Sequence, residues 1–442
     1  MHKKELNLLK KYNMPNNIFI KDIKKHKIIL SIDTACWLLL NNDTELSIYK
    51  FLAAGNTIKE TLDKFSEDRK SVFNVLRELE AKHFEDLTVT RPPENGMYIY
   101  LTNKCNLRCH HCYMLSGEAN ENELNTSEIK KILNEFAKFG GKAVMFTGGE
   151  ATLRDDLVEI VREAKSLGLS TGILSNGILW TDSMIENIYP FLDEVQISID
   201  GYDDKTYMSV RGIAGFDIAK NTVEKLLKKN VRTTVAITPL QETLINKEHN
   251  YIEFIEGMLR KWNDYPFFVK INTELMSGRD ITPTEKENTI YKKSVRKIKD
   301  SFPQFADYKG FAIDHRYHCI IENCGYGGLS IASNGDVFFC NLTSKCARQG
   351  NIRKNKLIDI LNISKKARAL SSVNNLIPCR DCPLKYLCGG GCRVRHFTEL
   401  VNKGINADMS TNNEFKRIDF CDEEYKNRFY INMVKANKLF YY

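Results

Sequence analysis

Six short apolar runs alternate with amphipathic segments between residues 97 and 303. The runs are Met97–Leu101, Ala143–Phe146, Thr171–Leu174, Val195–Ile199, Val235–Ile237 and Phe267–Ile271. The intervening segments, such as Ser127–Phe139 and Phe216–Lys229, carry apolar residues at helical spacing. Strand–helix alternation is typical of a parallel sheet built from right-handed βαβ units. Six units favour a partial (β/α)6 barrel over a closed eight-stranded one, so we expect an α/β fold here.

Length and composition indicate an intracellular chain of several domains. Its 442 residues are enough for roughly three domains, and 43% of them are hydrophobic. No stretch approaches the ~20 apolar residues of a membrane span, and the first residues lack the apolar core of a signal peptide. The net charge of +8 is spread over lysine-rich helices and forms no basic stripe interleaved with aromatic residues. We therefore expect a cytoplasmic protein that binds neither a membrane nor nucleic acid.

Three of the 13 cysteines lie close together, as Cys105-x3-Cys109-x2-Cys112, on the loop after the first apolar run. In a reducing compartment, clustered cysteines bind metal more often than they form disulfides. Three thiolates on one loop can hold three irons of a [4Fe–4S] cluster and leave the fourth iron open. A closed zinc site needs a fourth ligand nearby, whereas the next cysteine is Cys319. This spacing favours an open iron–sulfur cluster over a zinc loop.

Glycines and polar residues recur where the predicted strands end. In a parallel barrel, the loops at the carboxyl ends of the strands carry the functional residues. The residues at these positions are Gly148, Gly149, Glu150, Ser175, Asn176, Ser198, Asp200 and Arg211. Glu150 could receive an ammonium group, and Arg211 offers a fork for a carboxylate. Each residue alone is an ordinary loop residue, but together, beside an open iron, they predict a pocket for S-adenosylmethionine (SAM).

The cysteine spacing and the order of these loops resemble the radical SAM superfamily. The resemblance implies that Cys105, Cys109 and Cys112 ligate a catalytic [4Fe–4S] cluster whose open iron chelates SAM. It also implies cofactor contacts from the eight loop residues above, of which Gly148–Glu150 match the GGE segment that binds the methionine amine. One departure is His111, which occupies the aromatic position before the third cysteine; the family role of that position is largely through its backbone. Such enzymes cleave SAM reductively to a 5′-deoxyadenosyl radical that abstracts hydrogen.

Eight further cysteines form a second field towards the C-terminus. They read Cys319-x4-Cys324-x10-Gly335-x4-Cys340, then Cys379-x2-Cys382-x5-Cys388-x3-Cys392, then Cys421. The pattern resembles the SPASM extension of peptide-modifying radical SAM enzymes, which carries two auxiliary [4Fe–4S] clusters. The resemblance implies a first auxiliary set of Cys319, Cys324, Cys340 and Cys392 and a second set of Cys379, Cys382, Cys388 and Cys421. With the SAM-binding cluster this makes three clusters, and a zinc ribbon is the alternative.

Three cysteines raise separate questions. Cys319 is the weakest ligand of the first auxiliary set; if it is free, that cluster has an open iron that could bind a substrate thiolate. Cys36 lies in an apolar run, as a buried small hydrophobe does. Cys346 lies in a loop with Lys and Arg, where it is either an inert thiol or one that contacts substrate.

The first 95 residues have the pattern of a winged helix. A strand-like pair, Ile18–Lys21 and Lys27–Ile32, precedes short helices predicted at Trp37–Leu39, Ile48–Leu52 and Val72–Leu79. A plain winged helix would be a DNA-binding or dimerisation module, but the last helix carries as many acidic as basic groups, which is poor for gripping phosphates. The block resembles the recognition element of maturases of ribosomally synthesised peptides (RiPPs). That implies binding of a precursor's leader as an added strand at the sheet edge.

We therefore expect a recognition element at residues 1–95, a radical SAM partial barrel at 96–310 and a SPASM domain with a C-terminal helix at 311–442. This layout is similar to that of the sactipeptide and ranthipeptide maturases. The similarity implies formation of intramolecular thioether cross-links, from a cysteine sulfur to a carbon, in a precursor peptide. The implied partners are that peptide and an external one-electron reductant of the flavodoxin or ferredoxin type.

The same residues leave three alternatives. A maturase that forms carbon–carbon cross-links would need the same machinery. An anaerobic sulfatase maturase also joins such a barrel to a SPASM domain, but it carries an acidic residue where Asn341 follows Cys340 here. An iron–sulfur sensor that binds DNA is the non-enzyme alternative, and it would have no use for SAM-binding loops.

Overall fold

The computed structural model describes residues 6–85, 88–91, 95–302, 317–402, 415–418 and 421–440. Its N-terminal part is a three-stranded antiparallel sheet followed by three helices. The elements are β1 Ile18–Ile23, β2 His26–Ser31, β3 Trp37–Leu40, α1 Asp43–Ala53, α2 Ile58–Lys64 and α3 Arg69–Ala81. The strand order is β1-β2-β3, so β1 and β3 are the edges of this sheet. Asn42 and Thr57 cap α1 and α2 with their side chains, which explains where these helices begin.

The prediction of a helix at Trp37–Leu39 is wrong, because this segment belongs to strand β3. All four residues of β3 are buried, and the strand pairs with β2 from Leu30↔Trp37 to Lys27↔Leu40. Four consecutive apolar residues fit a short strand that is buried on both faces, whereas a helix of this length would have no polar side for solvent.

All six predicted central strands are present, and they form one parallel array. The elements of this part are β4 Thr88–Thr90, β5 Gly96–Tyr100, α4 Thr126–Lys138, β6 Ala143–Thr147, α5 Leu157–Ser166, β7 Ser170–Ser175, α6 Asp182–Ile188, β8 Glu194–Ser198, α7 Asp204–Arg211, α8 Phe216–Lys228, β9 Arg232–Ile237, α9 Gln241–Leu244, α10 Glu248–Lys261, β10 Phe267–Ile271 and α11 Glu285–Asp300. The strands lie in the order β10-β9-β8-β7-β6-β5, and each neighbouring pair is parallel. Their carboxyl ends therefore meet at one edge of the array, where the loops predicted to carry the site begin.

The C-terminal part adds three strands to the same sheet. Its elements are β11 Tyr317–Cys319, β12 Leu329–Ile331, β13 Asp336–Phe338, β14 Gly350–Asn351, α12 Leu357–Leu370, β15 Leu376–Ile377, α13 Lys385–Cys388, α14 Arg393–His396, α15 Thr398–Val401, β16 Phe415–Lys416 and α16 Glu423–Phe440. Strand β12 pairs in parallel with β5, and β13 and β14 continue from it in antiparallel fashion. The result is a mixed α/β fold whose nine-stranded, mainly parallel sheet runs across the domain boundary expected at residue 310.

The two ends of the chain share a second apolar core. Tyr430, Met433 and Ala436 of α16 pack among the buried residues of the N-terminal part. In the same region Lys82 Nζ lies 2.7 Å from Glu78 Oε2 and donates to Asn437 Oδ1 on α16. Both charged side chains are buried, so the C-terminal helix is an integral part of the N-terminal fold. In the described part of the chain, no helix combines the length and the apolar character needed to cross a membrane.

Candidate active site and cysteine sets

A cavity of about 440 Å³ lies at the carboxyl ends of the central strands. Polar residues from the strand ends line it, namely Thr147, Ser175, Ser198, Thr238 and Asn272. Cys105, Cys109 and Cys112 also line it, as do Gly148, Gly149, Asn176 and Arg211. The structure thus brings nine of the eleven residues predicted for the cluster and SAM to one cavity, and places Glu150 and Asp200 behind its wall. The volume is that of a typical small-molecule site.

The loop with the three cysteines is held by its own backbone and by its neighbours. Cys105 N donates to Gly117 O (2.9 Å), Cys112 N donates to Cys109 O (3.2 Å), and His110 N donates to Val210 O (3.1 Å). Burial raises the pKa of Cys105 to about 11 and also raises that of Cys109. These thiols would therefore keep their protons at neutral pH in the absence of metal. Binding of iron displaces such protons, because the thiolate is the form that ligates a metal.

The segment Met276–Asp280 braces the same loop from the other side. Asp280 N donates to His110 O (2.9 Å), and Asp280 Oδ2 lies 2.6 Å from His110 Nδ1. A Cβ at Gly278 would lie 2.5 Å from the carbonyl carbon of His111, so only glycine fits there. The cysteine loop is thereby enclosed between strand β5 and this segment.

The paired glycines pack against the chain that leads into the cysteine loop. A Cβ at Gly148 would lie 2.4 Å from Thr102 O, and one at Gly149 would lie 2.3 Å from Lys104 O. Gly149 N donates to Thr102 O at 2.7 Å. The absence of side chains at both positions lets the β6 loop touch the backbone just before Cys105, and both glycines still face the cavity.

Glu150 lies beneath the cavity wall and is almost fully buried. Its Oε1 accepts hydrogen bonds from Ser175 Oγ (2.8 Å) and Thr152 Oγ1 (2.7 Å), and its Oε2 accepts one from Asn176 N (2.7 Å). Asn176 in turn donates through Nδ2 to Asn106 Oδ1 in the cysteine loop (2.8 Å). The carboxylate thus positions two cavity-lining residues, and its predicted contact with the methionine amine stays a prediction.

A buried ion pair joins Asp200 to Arg211. Asp200 Oδ2 lies 2.7 Å from Arg211 Nη2 and 3.2 Å from His111 Nε2, and Oδ1 accepts from Thr238 N (2.6 Å). Burial opposes ionisation of this carboxyl, yet the charge of Arg211 and the contacts with His111 and Thr238 N hold the pKa of Asp200 below its usual value. Arg211 Nη1 also reaches Cys109 Sγ at 3.7 Å.

Two buried nitrogen atoms of this network have no hydrogen-bond partner among the described residues: Arg211 Nε and His111 Nδ1. Both side chains line the cavity, although these two nitrogen atoms are themselves buried. Sequence reasoning assigned His111 a role through its backbone and missed its side-chain contact with Asp200. The sequence feature that could have indicated this contact is the histidine itself. At the position where the family resemblance implies an aromatic residue, it brings two ring nitrogens that can form hydrogen bonds.

Four further thiols form a set beside the cavity, which we call the proximal set: Cys324, Cys340, Cys346 and Cys392. The thiol of Cys346 hydrogen-bonds with Cys340 and interacts electrostatically with Cys392 and Cys324. Cys324 Sγ accepts a hydrogen bond from Arg393 N, the residue next to Cys392 (3.4 Å). Cys319, which the resemblance implies in this set, is exposed like Cys324, and its described contact is with its neighbour Ile320 O (4.0 Å), so its role as a ligand stays a prediction.

The remaining four thiols form the distal set: Cys379, Cys382, Cys388 and Cys421. Cys379 and Cys421 each interact with both Cys382 and Cys388. These are the residues that the sequence implied for the second auxiliary cluster, and the structure brings them together. Cys388 Sγ lies 3.5 Å from the Tyr425 hydroxyl of α16, next to the N-terminal part.

The residues after Cys340 form part of the cavity wall. Asn341 and Leu342 line the cavity, and Tyr100 Oη donates to Asn341 O at 2.6 Å. Ser344 Oγ contacts Tyr113 O (3.3 Å), one residue beyond the third cavity cysteine. The proximal set is therefore in direct structural contact with the cysteine loop.

These sets fit iron–sulfur clusters by their donor chemistry: one trio of thiols that faces a cavity, and two groups of four. No three Cys, His, Asp or Glu side chains in the described ranges converge closely enough to hold a single metal ion. The fit accordingly rests on how the thiols are grouped around the cavity and its neighbouring loops.

Comparison with known proteins agrees with this arrangement. Residues 99–255 match the radical SAM superfamily, and residues 319–383 match the SPASM family, an iron–sulfur cluster-binding domain. The AdoMet-dependent heme synthase of Methanosarcina barkeri is 28% identical over 324 residues, which are 67% of this chain and 90% of that protein. The sporulation killing factor maturation protein SkfB of Bacillus subtilis is 37% identical over 142 residues, 32% of this chain. This match spans about a third of SkfB (34%).

A solved structure shares the fold. Native anSMEcpe with bound AdoMet and Cp18Cys peptide aligns with a TM-score of 0.51 at 17% identity, over 78% of this chain and 97% of that one. Both matched families imply SAM and [4Fe–4S] clusters as cofactors, in agreement with the cavity and its thiols. The chain contains a radical SAM domain followed by a SPASM iron–sulfur domain.

Proposed function

We propose that this protein is a radical SAM maturase that forms thioether cross-links between cysteine sulfurs and carbons of a ribosomally synthesised precursor peptide. The observation that carries the proposal is the shared cavity: the three-cysteine loop forms one wall, and the loop after Cys340 of the SPASM part forms another. A substrate bound there would contact the SAM site and the neighbourhood of the proximal set at once. The name of SkfB, a maturation protein, supports a peptide as the substrate.

The chain's own residues prepare the cavity for SAM. Cys105, Cys109 and Cys112 would hold the cluster, and the Arg211 guanidinium would bind the methionine carboxylate, while Asp200 keeps Arg211 in place. Ser175 and Asn176, positioned by Glu150, would bind polar groups of the nucleoside. When bound, the reduced cluster and SAM supply a 5′-deoxyadenosyl radical for hydrogen abstraction.

The cross-linking step balances without an additional oxidant. One hydrogen of the acceptor carbon leaves in 5′-deoxyadenosine, and the proton of the cysteine thiol goes to solvent. The electron released as the carbon–sulfur bond forms replaces the electron consumed when SAM is cleaved. An acceptor for that electron is needed beside the cavity, which is where the proximal set lies. A flavodoxin- or ferredoxin-type protein would supply the first electron.

The N-terminal sheet would bind the leader of the precursor. On the β3 edge, Leu39 N already donates to Glu78 Oε2 (3.0 Å), and α16 packs beside this strand. The opposite edge strand, β1, pairs with β2 alone in the described structure, and its Ile20 is 40% exposed. An extended peptide added to β1 would gain main-chain hydrogen bonds and apolar contact.

The test is anaerobic co-expression with the cysteine-containing peptide encoded beside the gene, followed by accurate mass measurement. Loss of two hydrogens per cysteine, with thiols that no longer react with an alkylating agent, supports thioether formation. Loss of hydrogens with free thiols would indicate carbon–carbon cross-linking instead. An unchanged peptide, with SAM still cleaved, would contradict the peptide maturase. An oxygen- or iron-dependent DNA complex without SAM cleavage would indicate the sensor.

A tetrapyrrole substrate is the second candidate, because the matched region covers 90% of a heme synthase. Incubation of the reduced enzyme with SAM and iron coproporphyrin distinguishes a tetrapyrrole substrate from a peptide substrate. Loss of carboxyl carbon from the porphyrin would favour that activity, whereas an unchanged porphyrin with a modified peptide would exclude it.

A further inference from the structure

Four thiols lie around the turn that follows Cys340, and Cys319, which the resemblance to SPASM domains implies as a member of this set, is not one of them. We propose that Cys346 is the fourth ligand of the cluster in the proximal set, with Cys324, Cys340 and Cys392, and that Cys319 stands outside it. The proposal deepens the proposed function and rests on it only in requiring an iron–sulfur cluster in the SPASM part.

Cys346 faces the set because a short turn folds it back towards Cys340. A turn of 3-10 helix at Thr343–Lys345 ends at Cys346, whose N–H is bonded to Thr343 O (3.3 Å). The two thiols then share a hydrogen bond. Thr343 Oγ1 contacts the sulfur of Met114 in the SAM domain (3.3 Å), which fixes the turn against the cysteine loop.

Backbone contacts bring the other two thiols to the same place. Gly327 N donates to Phe339 O (2.8 Å), so the turn after Cys324 lies beside the end of the strand before Cys340. Cys324 Sγ accepts from Arg393 N, which joins it to Cys392. Ala347 N donates to Val401 O (3.1 Å), which ties the residue after Cys346 to the helices that follow Cys392. Tyr326 is buried, and its hydroxyl interacts electrostatically with Cys346, Cys340 and Cys324.

Cys319 lies in a different structural element. It is the last residue of β11, which pairs with β4 in the two-stranded sheet at the start of the barrel, in the register Cys319↔Thr90. Cys319 and Cys324 are both exposed, so their contacts distinguish them: Cys324 Sγ accepts from Arg393 N, next to Cys392, whereas the described contact of Cys319 Sγ is with Ile320 O.

The assignment changes what the cluster can do. With Cys346 as the fourth thiolate all four irons are ligated by protein, so the cluster has no open iron for a substrate thiolate. The cluster would act only as the electron acceptor beside the cavity. The substrate cysteine would react within the cavity without its sulfur being bound to iron.

Cysteine-to-alanine variants test the ligand set through metal content. Replacing Cys105, Cys109 and Cys112 by alanine removes the SAM-binding cluster, so that only the auxiliary clusters are counted. In this background we expect about eight irons per chain to remain with Cys319→Ala and with the buried control Cys36→Ala. Cys346→Ala should drop towards four, or show the electron paramagnetic resonance signal of a [3Fe–4S] cluster. The proposal would be overturned if iron were lost in Cys319→Ala alone, in both variants, or in neither variant.

Alkylation of the reconstituted wild-type enzyme provides a second test that needs no variant. Iodoacetamide followed by peptide mass mapping should label Cys319 in the loaded protein and should label Cys346 only after the clusters are removed. The reverse pattern would refute the assignment. Zinc in place of iron would defeat the iron–sulfur part of the proposed function, while the labelling would still identify the ligand. A full iron content together with an unmodified peptide would contradict only the proposed maturase activity and not the ligand assignment.

Discussion

The carboxylate of Glu150 holds two residues that line the cavity, Ser175 and Asn176. That this glutamate receives the methionine amine stays a prediction; in the described structure its two oxygens accept from Ser175, Asn176 and Thr152. A buried carboxylate surrounded by donors is a rigid acceptor, because leaving any of these donors unpaired would cost about 1–3 kcal/mol. These hydrogen bonds tie the loops after β6 and β7 together at the cavity wall.

Glu150→Gln should therefore weaken SAM binding without loss of the cluster. The glutamine side chain brings two N–H donors against existing donors, so Ser175 and Asn176 would shift. We expect the Kd for SAM to rise about tenfold, which corresponds to ~1.4 kcal/mol. Equilibrium dialysis with labelled SAM measures the change, iron content reports the cluster, and Glu159→Gln on α5 is the control. An unchanged Kd would refute the positioning role.

At the scale of elements, α16 completes the fold of the N-terminal part. Tyr430 stacks on Phe19 of β1 with ring centroids 6.2 Å apart, and Asn437 bonds both members of the buried Glu78–Lys82 pair. The Lys82 ammonium also lies 3.8 Å from the centre of the Trp37 ring. A buried ion pair tolerates the loss of a partner poorly, since the remaining charge stays desolvated.

Asn437→Ala is expected to destabilise the N-terminal part by about 1–3 kcal/mol, because Glu78 and Lys82 each lose a buried hydrogen bond. The measurement is the denaturant midpoint of Trp fluorescence, since Trp37 lies beside the pair. Lys435→Ala, an exposed position on the same helix, is the matched control and should leave the midpoint unchanged. Equal midpoints for both variants would mean that the helix contributes only apolar contact.

At the scale of the whole molecule, the chain's ends meet and the distal set lies between them. Cys382 packs against the N-terminal core, and Cys388 contacts Tyr425 of α16. Deleting residues 1–95 would uncover Met433 and Ala436 of α16 and disturb the surroundings of the distal set. A leader-binding role is therefore better tested by a point change on the open edge of the sheet than by truncation.

Ile20→Glu should weaken binding of the leader about tenfold, ~1.4 kcal/mol, because a charge replaces the apolar contact beside the added strand. Fluorescence anisotropy of a labelled leader peptide measures the Kd. SAM cleavage without peptide should be unchanged. Ile290→Glu on α11 is the control, because both isoleucines are 40% exposed. Equal leader affinity for the two variants would place the leader elsewhere.

The sequence by itself determined the features that depend on neighbouring residues. Strand and helix periods follow from which residues of a short segment are buried, so all six central strands appear where the apolar runs predicted them. The cavity trio follows equally from spacing, because three cysteines on one short loop cannot lie far apart. Local pattern failed at Trp37–Leu40, where a run of four apolar residues does not distinguish a strand from a helix.

Only the tertiary structure decided which distant residues meet. The resemblance implied that Cys319 joins Cys324 in one set, whereas in the folded chain Cys346 meets Cys340 and Cys319 is the last residue of β11. Likewise, nothing in the pattern of residues 423–440 shows that Asn437 meets Glu78 and Lys82, more than 350 positions earlier in the chain. Such contacts depend on the path of the backbone between two segments, and this path is set by packing of the whole core and not by the local sequence.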